Sequence, residues 1–105
     1  MTADPTAVVL TLVMPVEVED ALIEILLETP ELAPGFTSQR VEGHGQRVTF
    51  SGTAEHVRGR AAYCRVDLVI SQLEADYLLD ILRQRFATNR LFYWIVPALA
   101  CGRLA

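Results

Sequence analysis

The chain has 105 residues, enough for one domain with one core. Hydrophobic residues make up 51% and charged residues 21%, the balance of a folded globular protein rather than a disordered one. The net charge of −4 argues against non-specific nucleic-acid binding, which needs a basic face.

After a short polar lead, Ala7–Met14 is a near-continuous apolar run rich in β-branched residues, the pattern of a strand buried on both faces. Pro15 closes it and is well placed to begin a helix. Val16–Thr29 carries apolar residues at Val18, Ala21, Leu22, Ile25 and Leu26, the spacing of an amphipathic helix. Glu17, Glu19 and Asp20 lie in its first turns, where the helix dipole favours negative charge. Pro30 and Pro34 stop it. Phe36–Glu42 is a second strand of mixed pattern, suited to an edge. Gly43-His44-Gly45 then frees the backbone for positive φ and for close approach to a ligand. The polar segment that follows, about residues 46–62, is longer than an ordinary hairpin loop, and such loops in small domains are usually functional or disordered.

Ala62–Ile70 alternates, with Cys64, Val66, Leu68 and Ile70 on one side and Tyr63, Arg65, Asp67 and Val69 on the other. Ser71 and Glu74 have the spacing of a capping box for a helix running to about Phe86. Leu73, Tyr77, Leu78, Ile81 and Leu82 are the expected buried stripe. Leu91–Val96 is a fourth strand, ended by Pro97, and an apolar tail follows. The order predicts a single α+β domain over residues 1–105, a ferredoxin-like βαββαβ fold. Its four-stranded antiparallel sheet carries two helices on one face. The first and last strands are apolar in both registers, so the sheet's other face also wants burial. Self-association through that face is the expectation, with fold-back of the tail as the competing reading.

The glycine-bearing hairpin resembles a known family. Gly35-Phe36-Thr37, then Val41, Gly43 and Gly45, is similar to the second strand of PII signalling proteins and the approach to their T-loop. Arg65-Val66-Asp67-Leu68-Val69-Ile70 resembles the strand that leaves the T-loop, and Asn89-Arg90-Leu91-Phe92 the opening of the last strand. Pro97 and Arg103 resemble that strand's exit and the family's C-terminal arginine. The chain departs from the family in three places. Only Ala87-Thr88-Asn89 stand where PII proteins have a glycine-rich phosphate loop, residues 46–62 hold no tyrosine for modification, and Arg47 replaces an effector-reading glutamine. These features resemble a PII-like branch of bacterial proteins often encoded beside heavy-metal efflux pumps. The resemblance implies a homotrimer with clefts between subunits and a loop that engages a membrane transporter.

The candidate ligand-binding residues are Thr37, Gly43, Gly45, Arg47, Arg58, Arg90 and Arg103. Thr37 offers a hydroxyl and the glycines offer close backbone approach. Arg47 and Arg58, with Arg60 beside them, can hold phosphate or carboxylate in bidentate fashion, or simply solvate a loop. Arg90 and Arg103 match basic positions of the PII nucleotide site. The candidate metal ligands are His44, His56 and Cys101, which share no zinc-type spacing and could meet across a subunit interface. Cys64 lies on the core side of its strand and reads as a small buried hydrophobe. No nucleophile has a base at a meaningful spacing, so no enzyme is expected. The N-terminus has no signal-peptide pattern, no apolar run nears the ~20 residues of a membrane span, and a cytoplasmic protein with reduced thiols is expected.

The function expected is a regulator that binds a small ligand near its long loop, an adenine nucleotide or a divalent or monovalent metal ion, and modulates a cation-efflux transporter. A metal-binding protein of a heavy-metal resistance system and a ligand-independent adaptor are the alternatives.

Overall fold

The first strand, β1 (Ala7–Pro15), runs directly into helix α1 (Val16–Glu28) with no intervening loop. Pro15 permits this junction, because its φ of −59° serves both the strand end and the helix start. In the computed structural model, residues 6–44, 61–86 and 90–105 are described. The remaining elements are β2 (Thr37–Gly43), β3 (Ala61–Ser71), α2 (Gln72–Arg85) and β4 (Phe92–Pro97). The predicted βαββαβ order is therefore present, and each element lies within a residue or two of its expected bounds.

The strands form one antiparallel sheet in the order β2-β3-β1-β4. Val8, Leu10, Leu12 and Met14 of β1 share one face with Cys64, Val66, Leu68 and Ile70 of β3, and all eight are buried. Leu22, Ile25 and Leu26 of α1 and Ala75, Leu78, Leu79 and Leu82 of α2 close over them to complete the core. Each fully buried leucine contributes about 1.5–3 kcal/mol of transfer free energy.

α2 begins as the sequence predicts. The Ser71 backbone N–H donates to Glu74 Oε1 (2.9 Å), and the Glu74 backbone N–H donates to Ser71 Oγ (3.1 Å). Its buried stripe matches the expected one in part: Leu78 and Leu82 are buried and Ile81 packs half-buried against the core, as predicted. Ala75, Leu78, Leu79 and Leu82 face the sheet, while Leu73 and Tyr77 are exposed. At about 100° per residue, Leu73 and Tyr77 sit roughly 160° around the helix from Ala75, so the expected stripe mixed two faces. The apolar count misled because the small Ala75 marks the centre of the buried face.

β2 is an edge strand with its side chains largely exposed, as its mixed composition predicts. The other edge is β4. Among the described residues, no helix is long and apolar enough to cross a membrane.

Candidate functional site

The side of the sheet away from the helices is organised in rows. Strand register places Thr37, Asp67, Thr11 and Trp94 in line across all four strands. The next row is Gln39, Arg65, Val13 and Phe92, and on the other side lie Val69, Val9 and Val96. Phe92 and Trp94 meet edge to face, with centroids 6.3 Å apart. Val69, Phe92, Trp94 and Val96 are all exposed, so among the described residues nothing covers this apolar part of the face, which the sequence expects to be buried.

A polar network occupies the middle of this apolar face. Thr11 Oγ1 donates to Asp67 Oδ1 at 2.6 Å. Arg65 donates from Nε to Asp67 Oδ2 at 3.1 Å and from Nη2 to Oδ1 at 3.4 Å. The guanidinium then lies over Trp94, 5.5 Å from the ring centroid, a cation–π contact. Thr11 is 1% exposed although it faces away from the helices. Burial pushes the Asp67 carboxyl up, but the Thr11 hydroxyl and then Arg65, by hydrogen bonding and charge, outweigh it and hold the group below its ordinary 3.8.

One sign of this network lies in the sequence. Arg65 and Asp67 are two apart on one side of a strand whose other side is apolar, and Thr11 interrupts the first strand's hydrophobic run. Period two puts the charges on one face, but which residues flank them depends on long-range register.

A second polar cluster joins β2 to α1. Arg40 Nε lies 2.8 Å from Glu19 Oε2. Glu19 Oε2 is buried and accepts no aligned hydrogen bond among the described residues. Cys64, the register partner of Arg40, is a free buried thiol. Burial raises its pKa above the ordinary 9.0, the charge and hydrogen bond of Glu19 raise it further, and the Arg40 charge partly opposes them. That thiol is an inert core group, as its sequence position implies.

The sequence-predicted ligand residues divide between places. Thr37 is exposed at the start of β2, beside Asp67. Gly43 ends β2 in a regular strand conformation, paired with Ala61, and has no positive φ. Pairing to β3 extends the ladder through this glycine, so the positive φ expected of it is not adopted. His44 is exposed, its Nε2 4.0 Å from Glu42 Oε2. Arg90 Nη2 donates to Glu17 Oε2 at 3.1 Å, tying the start of β4 to the start of α1. An anionic ligand at Arg90 competes with that carboxylate. Gly43, His44 and Arg90 share one end of the sheet, because β1 and β3 end and begin there. The tail, with half-buried Cys101 and exposed Arg103, leaves from the other end, where the Ala98 N–H donates to Ala7 O (3.1 Å).

His44 and Cys101 therefore lie at opposite ends of one protomer, and a shared metal site needs more than one copy. Among the described residues, no group of three or more His, Cys, Asp or Glu side chains is placed to hold a metal ion. Gly45, Arg47, His56, Arg58 and Arg60 lie outside the described residues, as does most of the 46–62 segment. Between α2 and β4, a shallow recess of about 210 Å³ is lined by Leu79, Leu82, Arg83, Phe86, Leu91 and Tyr93. Its lining is mostly apolar, with Arg83 as its one charged side chain among the described residues.

The sequence matches over residues 5–105 the family described as "Protein of unknown function (DUF3240)". The chain belongs to the DUF3240 family. A solved DUF3240 family protein from Shewanella baltica superposes with a TM-score of 0.76 at 22% identity, covering 100% of both chains. CutA from Synechococcus elongatus gives a TM-score of 0.71 at 13% identity, over 95% of this chain and 83% of that one. A putative PII-like signaling protein from Thermus thermophilus gives 0.61 at 17% identity, over 88% and 86%. No functionally curated protein matches. At these identities the likeness concerns the fold: this DUF3240 chain has the PII-like fold that its hairpin residues resemble.

Proposed function

We propose that this DUF3240 protein is a small, non-catalytic cytoplasmic regulator of the PII-like kind, assembled as a homotrimer through the open face of its sheet. A small ligand, an adenine nucleotide or a metal ion, binds at the end of the sheet that carries Gly43, His44 and Arg90 and where the 46–62 segment begins. Ligand then alters what that segment presents to a membrane cation-efflux transporter. Such a switch requires that the ligand bind two states of the segment with different affinity. The observation that carries the reading is the bare apolar face: Val69, Phe92, Trp94 and Val96 are exposed together on the side of the sheet opposite its helices. The fold shared with a putative PII-like signaling protein supports the regulatory role.

Native mass spectrometry of metal-stripped protein tests it, with ATP, ADP, AMP and copper, zinc, nickel and cobalt ions added in turn. The expected result is a trimer that takes up one of these and loses that uptake on Arg90→Ala or His44→Ala substitution. A monomer at micromolar concentration overturns the assembly. A trimer with no adduct overturns the ligand-sensing role.

A further inference from the structure

We propose that Arg65 and Asp67 also pair between copies, so that Arg65 of one chain donates to the partner's Asp67 and the pair selects a second copy of this chain as occupant of the open face. The inference rests on the self-association proposed above and names the contact that specifies it.

Charge is the first argument. Among the described residues of the open face, Arg65 and Asp67 are the only charged side chains. One is positive and one negative, so the face is neutral and complementary to a copy of itself. A face with a single sign would repel its own copy.

Unused bonding capacity is the second. Among the described residues, Arg65 donates to Asp67 from Nε and Nη2, and a guanidinium carries further N–H donors on Nη1. Trp94 occupies one flat side of the guanidinium, which leaves its Nη1 edge for an acceptor beyond the chain.

Specificity is the third. Val69, Val9 and Val96 flank the polar row on one side, and Val13 and Phe92 lie on the other. An apolar face alone would accept many partners. A charged pair in its middle penalises any packing that buries it against hydrocarbon without further hydrogen bonds. A second copy supplies those bonds from the same two residues.

The test uses the full chain, with assembly measured by sedimentation velocity across a concentration series. Arg65→Asp and Asp67→Arg, each alone, are expected to assemble at least tenfold more weakly than the wild type. In a mixture, two of the three contacts of every mixed trimer become complementary, so partial recovery as 2:1 and 1:2 assemblies is expected, seen by native mass spectrometry with one chain isotope-labelled. If the mixture stays dissociated, the pair acts only within a chain and the inference is overturned. Val96→Arg is the control for the face itself, since Val96 lies outside the network. If Val96→Arg assembles normally, the self-association reading fails and this inference with it. If Val96→Arg dissociates while Asp67→Arg assembles normally, only the inference falls. Circular dichroism checks each fold. Should a charge-changing variant misfold, Arg65→Met keeps the stem over Trp94 and removes the donors. It is expected to assemble at least tenfold more weakly, and wild-type assembly by it overturns the inference.

Discussion

Arg40 of the edge strand β2 and Glu19 of α1 meet 2.8 Å apart, directly beside the buried thiol of Cys64. The Arg40 side chain is mostly exposed while that of Glu19 is 16% exposed, so the pair joins a surface cation to an almost buried anion. Removing the cation leaves the carboxylate without its counter-charge.

Arg40→Ala is therefore expected to destabilise the fold by about 1 kcal/mol. It also removes the one charge that lowers the Cys64 pKa, so the thiol titrates higher still. Glu19→Gln moves that titration the other way. The Cys64 13Cβ chemical shift followed against pH reads both shifts in the folded chain, and a fall in the Arg40→Ala titration or a rise in that of Glu19→Gln would contradict the assigned arrangement.

Asp67 gives a pH signature. Its carboxyl titrates below 3.8 in the folded chain, so its contribution to stability is complete above 3.8 and is lost as pH falls through the folded value. Denaturant melts between pH 5 and pH 2.5 should show that loss in the wild type and a flatter profile in Asp67→Asn. Thr11→Val removes one of the hydrogen bonds that hold the carboxyl down, and its NMR titration should move upward toward 3.8.

The capping box at the start of α2 satisfies two backbone and side-chain bonds at once. Ser71→Ala is expected to cost about 1 kcal/mol in chemical denaturation, with Ser71→Asn close to wild type. Equal loss in both variants would point to packing rather than to the cap.

Leu78 is fully buried between α2 and the sheet, whereas Leu73 of the same helix is exposed. Leu78→Ala should cost about 2–5 kcal/mol, and Leu73→Ala should change stability by less than about 0.5 kcal/mol. Unfolding midpoints of the two variants separate the observed stripe from the one that apolar periodicity predicts.

What the sequence made legible follows from the range of the physics involved. Strand alternation over Ala62–Ile70, the Ser71–Glu74 box and the Pro15 junction are local patterns, and each reappears in the fold as read. The α2 stripe is legible at Leu78, Ile81 and Leu82 but not at Leu73 and Tyr77, which are apolar without being buried, because hydrophobicity alone does not orient a helix whose buried face is centred on an alanine. The Thr11–Asp67–Arg65–Trp94 network was not legible as a unit. Its members come from three strands, and only the register of β1 against both β3 and β4 brings them into contact. The separation of His44 from Cys101 has the same origin, since strand order decides which end of the sheet each occupies.

Trp94 is the chain's single tryptophan, and it stands on the open face under a guanidinium, 38% exposed. The protein thus carries a native fluorophore at the one surface whose covering matters most. Whatever occludes that surface strips water from the indole and shifts its emission toward the blue, with no other tryptophan to dilute the signal. Dilution of the unlabelled protein in a fluorimeter would give the dissociation curve of the face directly.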